Sequence, residues 1–211
     1  MKYDRINKDL YIRNRKRFVE QMELSALAIF NSNDIFPISA DSTMPFQQHR
    51  DILALSGVDQ EESILVIFRG SFNKKHQEIL FLKETNEHIA VWEGEKLTKE
   101  NAFLTSGIKT VYWLSEFESV FKQLMAEADK VYINTNEHSR ANTEVETRED
   151  RFIKKLKQDF PSHHYLKAAP IMHRIRSIKG PEEIDLMQNA CRITEKGFKR
   201  LLIFIKPGVW E

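Results

Sequence analysis

The chain has 211 residues with 32 basic and 31 acidic side chains, for a formal net charge of +1, and 41% of its residues are hydrophobic. This is too apolar and too well balanced for a disordered chain, and it gives no electrostatic reason to expect nucleic acid or an anionic membrane as partner. A single cysteine excludes a disulfide framework and a cysteine-based zinc knuckle and fits a reducing compartment, so a cytoplasmic location is expected.

In chain order, the charged opening segment carries Leu10, Tyr11, Phe18 and Met22 near one stripe and reads as an amphipathic helix. It lacks the apolar run of a secretory signal, and no stretch approaches the ~20 apolar residues of a membrane span. Residues 24–30 (LSALAIF) read as a buried strand, and 31–48 as a turn-rich piece. Short β-like runs follow at 52–55, 63–69, 78–83 and 88–92, spaced closely enough to suggest antiparallel neighbours.

The rhythm then changes. A strand at 110–114 leads to a helix through Phe117, Phe121, Leu124 and Met125, with Ser115 and Glu118 at capping-box spacing. A strand at 130–134, a helix at 145–157 with Phe152, Ile153 and Leu156 inward, and a strand at 163–167 complete a β-α-β-α-β series that argues for parallel pairing. The fold class expected is α/β, a mixed sheet flanked by helices. Gly180-Pro181-Glu182-Glu183 then starts a final helix, with proline at its first position and carboxylates at the positive end of its dipole. So much apolar surface with so little chain after it suggests a second domain cut at its start.

Catalytic chemistry is hard to find. The seven histidines form no H-E-x-x-H, and adjacent His163 and His164 point to opposite faces of a strand, so each reads as a surface or structural histidine. Cys191 reads as a buried inert thiol on the final helix. The basic cluster 13–17 and the mixed-charge stretch 140–151 read as solvated faces. Glu182 and Glu183 read as helix capping. No complete active site, catalytic residue or metal ligand set is expected in the chain.

Three ordered segments resemble the N-terminal domain of Xaa-Pro aminopeptidases (aminopeptidase P), in the creatinase/prolidase family. Ser39-Ala40-Asp41-Ser42, Pro45-Phe46-Gln47-Gln48 and Asp51-Ile52-Leu53-Ala54-Leu55-Ser56-Gly57 are similar to its "ADS…PFRQ…DF-YLTG" stretch. Val91-Trp92-Glu93-Gly94-Glu95-Lys96-Leu97 is similar to "W-x-G-x-R-L", and residues 173–184 to "R-x-I-K-S-P-E-E-I", with Lys206-Pro207-Gly208-Val209-Trp210-Glu211 similar to "K-P-G-x-x-E". Gln47 stands where the family usually has arginine, His49-Arg50 replaces a shorter polar pair, and Glu95-Lys96 replaces x-Arg, so bidentate donors are lost.

The resemblance implies a ribonuclease H-like N-terminal domain over residues 1–175 and, over 176–211, the start of a truncated C-terminal "pita-bread" metallopeptidase domain. The parent would be a homo-oligomeric hydrolase that removes the residue before a proline in second position. Its two divalent metal ions, with manganese expected, would be held by two Asp, one His and two Glu beyond Glu211, leaving the fragment inactive and without cofactor. The resemblance also implies that Asp41 and Trp92 approach the active site of a neighbouring subunit. Asp41 can equally be a turn residue, and Trp92 at a strand end can pack under the next loop. Arg176 and Lys179 are expected to fix the interdomain junction. Two other readings stand beside this one: a prolidase- or creatinase-like hydrolase, and a non-enzymatic pseudo-peptidase module that binds partner proteins.

Overall fold

A computed structural model describes residues 5–140 and 144–210. Residues 1–4 and 141–143, and Glu211 at the end of the last family-like segment, lie outside the described residues. The chain divides into two units, one through Arg176 and the other from Ser177 onward.

The first unit is built on a sheet. Helix α1 (Asp9–Gln21) leads into strand β1 (Ala26–Asn31), a small hairpin of β2 (Pro37–Ser39) and β3 (Ser42–Thr43), and helix α2 (Arg50–Ser56). Next come β4 (Ile64–Phe68), β5 (Glu78–Leu82), α3 (Glu87–Glu93), α4 (Lys99–Ser106) and β6 (Thr110–Trp113). The last part runs α5 (Phe117–Glu127), β7 (Lys130–Ile133), α6 (Arg148–Asp159), β8 (His164–Lys167) and α7 (Ala169–Ser177).

Six strands pair in the order β6-β5-β4-β1-β7-β8, with β4 antiparallel to β1 and β5, and the pairs β5–β6, β1–β7 and β7–β8 parallel. The antiparallel pairing expected of the short early strands is present. The later β-α-β-α-β series is only partly so: β7 and β8 pair, but β6 lies at the opposite edge beside β5.

Strand alternation sends side chains to two cores. From β1, Ala28 and Phe30 join Phe18 of α1, Ile52 and Leu55 of α2, Ala102 of α4 and Met172 of α7. Leu27 and Ile29 join Phe121 and Leu124 of α5 and Ile153 and Leu156 of α6 on the other face. With both faces covered, β1 and β4 are buried throughout, which is why they are continuous apolar runs. Each fully buried Leu, Ile or Phe contributes about 1.5–3 kcal/mol relative to exposure.

Two of the expected strands are helices. The run at 52–55 lies within α2, which His49 caps by accepting from the Asp51 N–H and which Gly57 closes at φ 70°. The run at 88–92 lies within α3, where the Asn86 side chain accepts from the Ile89 N–H at 2.9 Å. Capping chemistry outweighs the β-propensity of four or five apolar residues. The helix beginning at Phe117 has no Ser115 cap; instead Glu116 accepts from the Trp113 N–H at 2.9 Å. Helix α6 begins at a Thr147–Asp150 capping box.

Burial corrects three further expectations. Arg15, in the supposedly solvated basic cluster, is 1% exposed and lies on the buried side of α1. Glu149, in the stretch 140–151 also expected to be solvated, faces the interior beside Asn31. Cys191 is exposed rather than buried. It lies on α8 (Pro181–Phe204) of the second unit, a helix with no buried residue. That helix begins as expected: Pro181 opens it, and Glu183 accepts from the Gly180 N–H at 2.7 Å.

Candidate functional site

Asp41 lies with Ala40 in the two-residue turn between β2 and β3, where Ala40 adopts φ 48°. The turn is exposed, and so are Ile38 on β2 and Met44 just after β3. Trp92 is on α3 rather than at a strand end and is 82% exposed, next to exposed Val91. It packs under no loop. Neither residue lines the clefts described next.

The segments that follow them do converge. Pro45 and Phe46, after the hairpin, and Glu95, Lys96 and Leu97, after α3, line one cleft of about 720 Å³ with Tyr11 and Gly57. The Leu97 N–H donates to Gln60 Oε1 at 2.7 Å, and Lys96 pairs with Glu61. Burial pushes the Glu61 carboxyl up, but the hydrogen bond from Lys96, a backbone hydrogen bond and the charges of Lys96 and Lys83 together lower it. The two family-like segments are thus fastened to the loop that follows α2.

Gln48 organises that loop. It is 2% exposed, and its Nε2 lies 3.0 Å from the Val58 carbonyl, 2.9 Å from that of Gln60 and 3.2 Å from Ser63 Oγ, while its Oε1 accepts from the His49 N–H at 2.8 Å. Sequence reading named Gln48 as part of a segment but found no role for it; a glutamine between Phe46 and a helix cap carries no signal of burial. Gln47, in place of the family's arginine, is exposed and accepts from Arg50.

A second cleft, of about 680 Å³, opens beyond the carboxyl ends of β1 and β7 and is lined, apart from Ala169, by residues with polar side chains. Arg176 meets Asp51 there at 2.8 Å, tying the end of α7 to the start of α2 within the first unit. Burial, with a further contribution from Arg176 against an opposing one from Asp51, lowers the His49 pKa. Behind His49, Asn134 Nδ2 lies 3.3 Å from its Nδ1. Close to Asn134 is Glu149, which accepts from Asn31 Nδ2 at 2.9 Å and which burial pushes up to about 7. Sequence alternation of signs concealed this carboxyl; its place in the first turn of α6 was the only available signal.

His138 and His173 line the same cleft as His49, whereas His163 lies elsewhere, its Nε2 2.9 Å from the Met125 carbonyl. Among the described residues no three His, Cys, Asp or Glu side chains form a group able to hold a metal ion. No described helix is long and apolar enough to cross a membrane.

The family model described as "Aminopeptidase P, N-terminal domain" matches residues 11–132. The chain is 26% identical over 207 residues to an Xaa-Pro aminopeptidase of Escherichia coli, covering 98% of this chain and 47% of that protein. It is similar in fold to the low-pH form of aminopeptidase P from E. coli, with TM-score 0.81 and 24% identity, covering 99% of this chain and 47% of that one. A zinc-substituted E. coli aminopeptidase P in complex with product superposes with TM-score 0.79 and 25% identity over 99% of this chain and 47% of that chain. The chain therefore spans about half the length of these relatives. With more than half of its residues matched by the family model and its fold shared, the chain belongs to the aminopeptidase P N-terminal domain family.

Proposed function

We propose that this chain is the non-catalytic N-terminal part of an Xaa-Pro aminopeptidase, a metallopeptidase that releases the first residue of peptides with proline in second position. The observation that carries the reading is the family match over residues 11–132. Residues 1–175 form the N-terminal domain, and residues 176–211 begin a pita-bread catalytic domain. The division of the chain after Arg176 and the exposed apolar residues Ile184, Met187, Phe198 and Leu201 of α8 support that boundary. The described residues do not supply a metal ligand set. In the parent, two divalent ions, manganese by our reading, would supply Lewis acidity and an activated water.

The role of this chain is to shape the oligomer and narrow access to a neighbouring subunit's active site. Asp41 on the hairpin turn would attract the free α-ammonium of the peptide, since a carboxylate is a strong charge-assisted acceptor. Trp92 would present a rigid apolar wall to a side chain or proline ring. Their exposure, and the common cleft in which both supporting segments are anchored, support this pairing. We place the parent in the cytoplasm, in keeping with a single free cysteine.

The test is an assay of a protein that contains this chain together with the Asp, Asp, His, Glu, Glu ligand set, loaded with manganese. It should cleave an X-Pro-Pro tripeptide, while the 211-residue chain alone cleaves nothing. Cleavage of X-Pro dipeptides only would replace this reading with a prolidase. A stable heterologous complex with neither metal nor cleavage would replace it with an interaction module.

A further inference from the structure

We propose that the polar cleft beyond the carboxyl ends of β1 and β7 is a binding site for a small oxyanion, a carboxylate or a phosphate, held by the Nε2–H groups of His49 and His138 together with Arg50. This site is separate from the surface on which Asp41 and Trp92 stand, and it does not depend on the peptidase reading.

β1 and β7 are adjacent and parallel, yet the chain leaves them in opposite senses. After β1 it passes to α2, whose Ile52 and Leu55 pack on one face of the sheet, and continues to β4. After β7 it passes to α6, whose Ile153 and Leu156 pack on the other face, and continues to β8. Diverging connections leave a crevice outside the strand ends that neither helix fills, the position at which open α/β sheets bind ligands. The polar cleft lies there, lined by the start of α2, the loop after β7 and one side of α7.

His49 Nδ1 accepts from the Asp51 N–H at 3.3 Å and faces the Asn134 amide nitrogen at 3.3 Å. His138 Nδ1 accepts from the Arg140 N–H at 3.1 Å. A ring nitrogen that accepts a backbone N–H bears no proton, so the proton of each neutral imidazole is on Nε2. Among the described residues neither Nε2 has a hydrogen-bond acceptor. Both rings line the same cleft.

The two carboxylates at the cleft already hold cations, Asp51 with Arg176 at 2.8 Å and Glu137 with Lys167 at 2.7 Å. Arg50, whose hydrogen bond goes to the neutral Gln47 side chain, adds a cation without a further acid on the lining. Ala169 places the positive end of α7 on the same wall. The lining offers donors in excess of acceptors, as an oxyanion requires.

The experiment titrates the 211-residue chain with inorganic phosphate and, separately, with succinate, holding ionic strength constant with sodium chloride, and follows the imidazole NMR signals of His49 and His138. At least one of the two anions should shift both rings saturably with a single midpoint; which one does so distinguishes a phosphate from a carboxylate site. His138→Ala and Arg50→Ala, both changes at exposed positions, should each raise that midpoint about fivefold or more, with an unchanged circular dichroism melt. Shifts that grow linearly, that chloride reproduces, or that neither substitution weakens would overturn the proposal.

Discussion

Arg15 and Glu78 form an ion pair at 3.0 Å in which the arginine side chain is 1% exposed. The same guanidinium donates through Nη1 to the carbonyls of Leu55 at 2.7 Å and Ser106 at 3.0 Å. It thereby satisfies the last turns of α2 and α4 at once, where helix dipoles favour a cation. The two helices end alike. Ser56 and Ser106 each donate to the carbonyl four residues back and accept from the second N–H onward, and each is followed by a left-handed glycine. Helix α1 lies across this pair of ends. Arg15→Met should therefore cost about 2–4 kcal/mol, because the two helix-end carbonyls lose their buried donor, while Glu78, with its side chain 36% exposed, is left to water. Urea unfolding of the two proteins measures it; a loss below about 1 kcal/mol would mean that water replaces the guanidinium.

The two glycines separate backbone strain from crowding. Gly57 and Gly107 have φ 70° and 75°, a conformation that costs other residues about 1–2 kcal/mol. A Cβ at Gly57 would lie 2.3 Å from the Tyr11 ring, and one at Gly107 would lie 2.7 Å from Ile12 Cδ1. Tyr11 is 4% exposed and enclosed, whereas Ile12 is 41% exposed and can turn into solvent. Gly57→Ala should consequently destabilise by at least about 1 kcal/mol more than Gly107→Ala, since overpacking a fixed ring adds to the strain. Equal midpoints in parallel denaturant titrations would contradict the difference.

Glu149 makes stability depend on pH with a definite sign. Burial raises its carboxyl from 4.5 to about 7 in the folded protein, so the folded state keeps a proton that the unfolded state releases earlier. Its contribution is complete below about pH 4.5, is lost as pH rises through about 7, and is constant above that. The difference corresponds to roughly 3 kcal/mol. Glu149→Gln keeps an acceptor for Asn31 and removes the titration, so the variant should match wild type near pH 4.5 and exceed it by up to about 3 kcal/mol at pH 8. Denaturant titrations at both values provide the comparison, and a variant no more stable at pH 8 would place the ionised carboxylate in a well-solvated setting.

What could be read in the sequence follows from burial. β4 and β5 were legible because strands covered on both faces become continuous apolar runs, and α5 because its apolar residues repeat at helical spacing over eleven positions. α2 and α3 were not, because four or five apolar residues fit either period and the deciding features, a histidine cap and an asparagine cap, lie outside the run. Arg15 and Glu149 were illegible for another reason: charge patterning treats each ionic side chain as solvated, whereas each of these is held by backbone or amide groups brought from distant elements. For the site, Asp41 and Trp92 were reached through resemblance, and only the coordinates show that the segments behind them share a cleft.

Gln48 tests whether that shared anchorage matters. Gln48→Ala strips the acceptor from the His49 N–H and the donors from the carbonyls of Val58 and Gln60, the latter two in the buried loop that holds Leu97 through Gln60. Leaving buried groups unpaired costs about 1–3 kcal/mol each, partly recovered by water in the space created. A loss of about 2–4 kcal/mol is expected, with faster amide exchange at Leu97. A destabilised variant whose Leu97 exchange is unchanged would show that the loop after α3 is held independently of Gln48.

Asp41 and Trp92 call for the opposite pattern. Asp41 stands on an exposed turn and Trp92 is 82% exposed on α3, so neither contributes packing to the first unit. Substitutions at such positions ordinarily change stability by no more than about 0.5 kcal/mol. If their role is to line a neighbouring subunit's site, Trp92→Ala in the metal-bearing parent should raise KM for X-Pro-Pro peptides about tenfold. Asp41→Asn should weaken substrates with a free α-ammonium by a similar factor while leaving N-acetylated ones unaffected, because only the former offer a charge to the carboxylate. The Asp41 effect should also shrink as salt rises, as an exposed charge pair does, and the Trp92 effect should not. Losses at both positions that are independent of the α-ammonium and of salt, in a protein that melts like wild type, would assign these side chains to assembly of the oligomer instead of substrate access.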